Sequence, residues 1–323
     1  MAIQDAKTTQ ARAWAWDQYW RDGRLASCGG EGGVGYQEAI ARSWHAFFGG
    51  LPAGSRILDV CSGNGAIARV AENIANARGL RFAIDAVDAA QLVPPGIDVG
   101  GMIRFHSRVD AEKLPFPADS FDVVVGQYAI EYTDLTRSLA EMARVSGNAR
   151  RLRFLTHARE GIVVGNARSQ LAEVDQLQRS DIFAAAHALA QAQGSPTPSP
   201  EAIQVVRQRY QDATQQVAQA ASSSVEPVMF TNTIHVFNHA LSVQAQVGTQ
   251  TVIDKIAEVN SSIQAHATRL DAMVEASVDE KGAHDLATRI GQLWEQNLHA
   301  QACVRGDGAL LGWALESADT FQA

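Results

Sequence analysis

The order of apolar runs along the chain predicts an α/β fold: a doubly wound, mostly parallel sheet with a C-terminal antiparallel hairpin and a large helical insertion. Three observations predict it. Between residues 55 and 165, short apolar runs alternate with amphipathic stretches, the pattern of strand–helix–strand units. After residue 165 the strand signals stop, and Ala- and Gln-rich helical spacing continues to about residue 281. Beyond that point a helix and a hairpin pattern return. A sheet that stops at residue 157 and resumes near 300 has had something inserted into it.

Each element has its own signal. Residues 56–60 form a short apolar run that enters the turn Cys61-Ser-Gly-Asn-Gly65, and residues 66–76 place Ile67, Val70, Ala71 and Ile74 on one helical face. A second run, 81–87, ends in Asp88; a third, 102–109, alternates in period two and ends in Asp110. Residues 121–125 read as a buried strand, 135–145 as a helix and 152–156 as a fifth strand. Helices follow over 168–192, 201–222, 228–246 and 250–277, the first two separated by the proline-punctuated stretch 194–200. Residues 286–298 read as an amphipathic helix carrying Leu286, Ile290, Leu293 and Trp294. Residues 300–304 and 309–315 read as a hairpin turned by Arg305-Gly-Asp-Gly308. The expected organisation is a helical lid at 1–50, a core at 51–164, a helical insertion or cap at 165–281, and a last helix and hairpin at 282–323 that complete the core sheet.

Composition narrows the partners. With 27 basic and 35 acidic side chains the net charge is −8, and residues 168–281 carry no basic stripe, so nucleic acid is a disfavoured partner. Cys28, Cys61 and Cys303 are scattered, which fits a reducing compartment and argues against disulfides and a structural zinc site. Charges occupy the N-terminal stretch where a signal peptide needs its apolar segment, and no apolar run reaches the ~20 residues of a membrane span. The chain reads as cytoplasmic, with no membrane association and no metal. His235 and His239 have i, i+4 spacing but lack a third ligand nearby in sequence, and the glycine run 29–35 lacks a phosphate loop's lysine and preceding strand and reads as a hinge.

The chemistry concentrates at strand ends. A strand delivers the chain into Cys61-Ser-Gly-Asn-Gly65 and a helix starts at once, a geometry that opens backbone amides and a helix N-terminus to a nucleotide-like ligand. The G-x-G-x-x-G spacing of pyrophosphate binders is absent, because residue 61 is Cys and residue 68 is Ala. Asp88 closes the second strand, where a carboxylate can accept from both ribose hydroxyls; Asp85 is its rival but lies mid-run. The third strand leads into Asp110-Ala-Glu-Lys-Leu-Pro-Phe-Pro-Ala-Asp-Ser-Phe-Asp122.

In this combination the sequence resembles the Rossmann-like class I S-adenosyl-L-methionine-dependent methyltransferases, in the branch that includes the ubiquinone/menaquinone C-methyltransferases. The resemblance covers residues 55–158 well and 286–317 loosely. It implies S-adenosyl-L-methionine as cofactor, with Asp59 orienting its ammonium end. Gly63 and Gly65, with backbone from Cys61, Ser62 and Asn64, would line the methionyl and ribose groups. Asp88, beside Ala89, would hold the ribose hydroxyls, Asp110 and the Ala111 amide the adenine, and Gln127 the methionine part through its backbone. Tyr128, Glu131 and His157 are then candidate catalytic contacts to the acceptor, and Tyr19, Trp20 and Tyr132 candidate substrate contacts. Glu131 also stands where a helix-entry charge would, and the aromatic cluster at 14–20 suits either a lid or a helix packed on the sheet. Two departures are Cys61 at the first glycine of the turn, and Leu92-Val-Pro-Pro95, which leaves little room for the usual helix.

Gly126-Gln-Tyr-Ala129 is not the Asn/Asp-Pro-Pro-aromatic run of exocyclic amino methylation, and no cysteine follows a proline as cytosine C5 chemistry commonly requires. With the acidic charge, this points to a small-molecule methyl acceptor. The rivals are a methyltransferase acting on a protein or RNA, and a non-catalytic scaffold that binds partners through the helical insertion. The insertion's apolar faces need a partner, which is the core, another insertion helix or a second subunit, so a homodimer through it is one expectation.

Overall fold

The computed structural model describes residues 2–21, 23–26, 38–94, 96, 101–147, 151–197, 199–224 and 226–317. Cys28, the glycine run 29–35 and Pro95 lie outside the described residues. The chain divides into two compact units: Met1–Ala167 with Asp271–Ala323, and Arg168–Leu270.

The first unit contains α1 (Ala2–Arg21), α2 (Glu38–Gly49), β1 (Arg56–Val60), α3 (Ala66–Ala77), β2 (Ala83–Asp88), β3 (Ile103–Ser107) and β4 (Val123–Gln127). A 3-10 turn (Ile130–Tyr132), α4 (Leu135–Val145) and β5 (Arg151–Thr156) follow, and the chain leaves along α5 (Ile162–Arg179). The second unit continues α5 and adds α6 (Ile182–Gln193), α7 (Pro200–Ser223), α8 (Val228–Ser242), α9 (Gln244–Val247) and most of α10 (Thr249–Ala276). Back in the first unit come α11 (Glu280–Trp294), β6 (Leu298–Val304) and β7 (Leu310–Ser317).

The described strands form one sheet in the order β3-β2-β1-β4-β5-β7-β6. β1 to β5 pair in parallel, while β7 runs antiparallel to both β5 and β6. The predicted doubly wound sheet and its closing hairpin are thus both present. The central strands read as continuous apolar runs because both faces are covered. Ile57, Ile84, Val123, Val125 and Leu155 pack on one face with α2 and α3, through Trp44, Phe48 and Ile67. Leu58, Val60, Val87, Val124, Leu152 and Phe154 pack on the other with α4 and α11, through Leu139, Met142, Ile290 and Trp294. The register Val60↔Val87 and Asp88↔Ser107 brings the carboxyl ends of β1, β2 and β3 to one edge. The order reverses between β1 and β4, the place where open α/β sheets bind ligands.

The second unit packs helices around Phe230, Phe237, Ile182 and Leu189. The single helix expected over 168–192 is two. Asp181 is left-handed (φ 61°), a conformation Asp tolerates better than most residues, and Arg209 on α7 donates to its carboxylate at 2.7 and 2.8 Å. The stretch expected as one helix over 228–246 is also broken, at Val243. The helix expected over 286–298 starts earlier, because Asp279 caps it by accepting from the Gly282 N–H at 2.8 Å. It ends at Trp294, where Glu295 turns left-handed before β6 begins.

Candidate functional site

The turn after β1 is built from left-handed residues: Cys61 (φ 50°), Gly63 (φ 53°) and Gly65 (φ 84°), the last ending the turn at the start of α3. The Ser62 N–H donates to the Val87 carbonyl at 3.0 Å, which ties the turn to the end of β2. Asp88 straddles both segments, accepting from the Gly63 N–H and the Ala90 N–H at 2.8 Å each. Asp59 is buried; one carboxylate oxygen accepts from the Ala68 N–H at 3.2 Å, and the other is buried without a hydrogen-bond partner. Burial raises its pKa to about 8, with the Asp88 charge adding to the shift and the Ala68 bond opposing it. Burial raises the Asp88 pKa too, against the two amide bonds.

Asp85 is a different kind of acid. Burial works against its ionised form, but Arg104 and His106 hydrogen-bond it and hold its carboxyl below the ordinary range. It is fully engaged in joining β2 to β3, whereas Asp88 stands at the strand end. Asp110 is exposed and accepts from the Glu112 N–H at 2.9 Å; Ala111 beside it is buried.

β4 and β5 supply the other side. Gln127 is buried, and its side chain faces α2, accepting from the Trp44 indole N–H at 2.5 Å. Tyr128 is left-handed (φ 52°); its hydroxyl donates to the Leu311 carbonyl at 2.9 Å, and its ring stacks on His157 with centroids 4.0 Å apart. Glu131, whose side chain is 2% exposed, accepts from the Ala129 N–H, the His157 N–H and the His157 ring Nδ1, at 2.8–2.9 Å. Glu131 is therefore no surface helix-entry charge. It is the joint between the loops after β4 and β5, a role its sequence position does not signal. The Tyr132 ring meets the His157 ring edge-on at 5.7 Å.

These groups converge. The Cys61 thiol is pushed well up, first by burial and then by the charges of Asp88, Glu131, Asp59 and Asp110. Acids in β1 and β2 and in the loops after β3 and β4 thus all act on one residue of the turn, a setting hostile to a thiolate. Of the other expected contacts, Tyr19 donates its hydroxyl to the Ala26 carbonyl, with Arg24 over its ring. The Asn64 side chain donates to the carbonyls of Trp20 and Arg24 and accepts from the Val93 N–H, so it acts as a strut. The Ser62 hydroxyl bonds to the Gly63 carbonyl at 3.2 Å, and Ala89 is exposed beside Asp88. Two features went unread in the sequence: Trp20 lies on Gly63, and Phe105 lies on Gly65. The spacing of Trp16 and Trp20, one helical turn apart, was the available signal for the first. His235 and His239 lie on α8, and among the described residues no group of three or more His, Cys, Asp or Glu could hold a metal. Among those residues, no helix is long and apolar enough to cross a membrane.

A doubly wound sheet with a glycine turn after β1 and acids ending β2 and following β3 is an architecture that binds nucleotide-like ligands at the carboxyl ends of its strands. Residues 58–148 match the family described as "Methyltransferase domain". The chain is 35% identical over 111 residues to the ubiquinone/menaquinone biosynthesis C-methyltransferase UbiE of Bordetella avium, covering 33% of this chain and 43% of that one. It is 33% identical over 128 residues to UbiE of Xylella fastidiosa, covering 36% and 50%. The chain spans about half the length of the curated relatives it matches. Among solved structures, an S-adenosylmethionine-dependent methyltransferase from Mesorhizobium loti is similar at 23% identity, over 38% of this chain and 54% of that one, with a TM-score of 0.29. Residues 58–148 are thus similar to a methyltransferase domain.

Proposed function

We propose that the protein transfers a methyl group from S-adenosyl-L-methionine to a small organic acceptor at carbon, oxygen or nitrogen. The observation that carries this reading is the buried Asp59 oxygen without a partner, with Asp88 acting on the same carboxyl. A buried acceptor left unpaired costs about 1–3 kcal/mol, and a cationic donor would offset that cost. The residues fit the cofactor. Asp59 would take the ammonium group, the 61–65 turn the methionyl and ribose groups, Asp88 the ribose hydroxyls, Asp110 and the Ala111 amide the adenine, and the Gln127 backbone the methionine end. The cofactor supplies an electrophilic methyl on a positively charged sulfur.

The chain's own residues then have to align the acceptor, exclude water and take any proton released. We read His157 as the acceptor-side base and Glu131 as the residue that positions its ring through Nδ1, with Tyr128 and Tyr132 packed against it. Tyr19, near the C-terminal end of α1, belongs to the same reading as a wall of the acceptor space. The acidic charge and the lack of a basic stripe support a small molecule over a nucleic acid. The scattered cysteines support a cytoplasmic protein, and the apolar helices of residues 168–270 suit pairing of two copies. The test is incubation of the purified protein with methyl-labelled cofactor and size-fractionated cell extract. Label should enter the low-mass fraction; label confined to protein or RNA would refute the small acceptor.

A further inference from the structure

Gly63 and Gly65 face rings, not open space. A Cβ built on Gly63 would lie 2.3 Å from Cζ2 of Trp20, and one on Gly65 would lie 2.4 Å from Cε1 of Phe105. Trp20 is 5% exposed and packs with Ala90 and Leu92, the residues that follow Asp88. Its indole therefore covers the faces of Gly63 and Ala90 on which the ribose and methionyl groups would rest, and Asp88 beneath is itself only 9% exposed.

The helix carrying this ring is fastened from the same side. Asp17 accepts from the Gln91 N–H at 2.8 Å and from the Arg108 guanidinium at 2.8 and 3.1 Å. Asn64 of the glycine turn donates to the Trp20 carbonyl at 3.0 Å. Just past the helix Gly23 is left-handed (φ 70°), a conformation that glycine adopts without strain.

We propose that Trp20 is a stopper: α1 closes the cofactor cleft with this indole, the Asp17–Arg108 clasp holds it shut, and the cofactor enters only when α1 lifts. This rests on the cofactor reading given above, and it assigns Trp20 to the cofactor's place rather than to a wall of the acceptor space. A ligand that must wait for a minor open state binds with an affinity reduced by the open fraction. Removing the stopper therefore tightens binding, whereas removing a true wall of the site weakens it.

The experiment uses the full chain and S-adenosylhomocysteine, by calorimetry and by stopped-flow fluorescence. Trp20→Ala should lower Kd by about fivefold or more and speed association. Asp17→Asn, which leaves the indole in place, should shift both in the same direction by a smaller factor. In the parent the observed association rate should level off with ligand concentration at the opening rate. Weaker or unchanged binding in both variants, with the parent still binding, overturns the stopper alone. Failure of parent and variants alike to bind overturns the cofactor reading and the stopper with it.

Discussion

The two units of the chain bury different chemistry. Among the described residues, the unit formed by Met1–Ala167 and Asp271–Ala323 buries Asp59, Asp85, Asp88, Arg151, Arg153 and His157. The unit Arg168–Leu270 buries the neutral Ser180, Thr233 and Gln244, and one charged side chain, Arg269, which is hydrogen-bonded to His266. Buried charge is expensive, so it persists where it is paired or where a ligand answers it. Within the first unit both kinds occur. Asp85 is answered by Arg104 and His106, and Glu316 pairs with Arg151 and Arg153. Asp59 keeps an oxygen that nothing in the described structure answers. The lesson is to separate acids that complete a fold from acids that await a partner, and the second unit serves as the control, because no acid is buried among its described residues.

The comparison breaks most sharply through the second unit's core. Phe237 is fully buried against Phe183. Phe237→Ala should destabilise that unit by about 3–5 kcal/mol in denaturant titration. Cofactor affinity should stay within about twofold of the parent, because every acid of the proposed site lies in the other unit; a large loss would show that the second unit takes part in binding.

Next in size, His157→Ala should lower turnover by about a hundredfold, the lower end of what a positioned base contributes, while calorimetry shows unchanged cofactor affinity. Unchanged turnover would leave His157 as packing under Tyr128. Asp88→Ala should weaken cofactor binding by more than about tenfold, since charge-assisted bonds are worth roughly 1.5–3 kcal/mol each. Calorimetry with equal affinity in parent and variant would remove Asp88 from the site.

The finest distinction is pH. Burial keeps a proton on Asp59 up to about pH 8, far above the unfolded value. The folded chain then binds the proton more tightly than the unfolded chain, so this group's share of stability is present at acid pH and lost as pH rises through 8. An ammonium group needs the ionised form. Affinity for S-adenosylmethionine should therefore rise with pH between about 5.5 and 7.5, by up to about tenfold per unit. Asp59→Asn should flatten that slope. Asp85→Asn should leave it intact, because Asp85 is already ionised and paired over this range.

The strands, the turn after β1 and the position of Asp88 at the end of β2 were readable from the chain alone. Buried parallel strands impose unbroken apolar runs, a tight strand–helix turn demands glycine, and a strand end is marked by where the run stops. These are local constraints, and local constraints leave local marks. The break at Asp181 left only the Ser180-Asp181 pair as a mark inside a helical pattern, and the Arg209 bond to its carboxylate comes from 28 residues away. Glu131 was legible as a candidate acceptor contact or as a charge before a helix; that it accepts from His157 depends on β4 and β5 lying side by side. The same holds for Asp85 and Asp88, equal as letters three residues apart and opposite in surroundings. For Gly63 the sequence alone determined that a side chain is excluded, and the tertiary structure alone decided that an indole from α1 fills the space. Close packing is set by which surfaces meet, and no residue carries that information in its own neighbourhood.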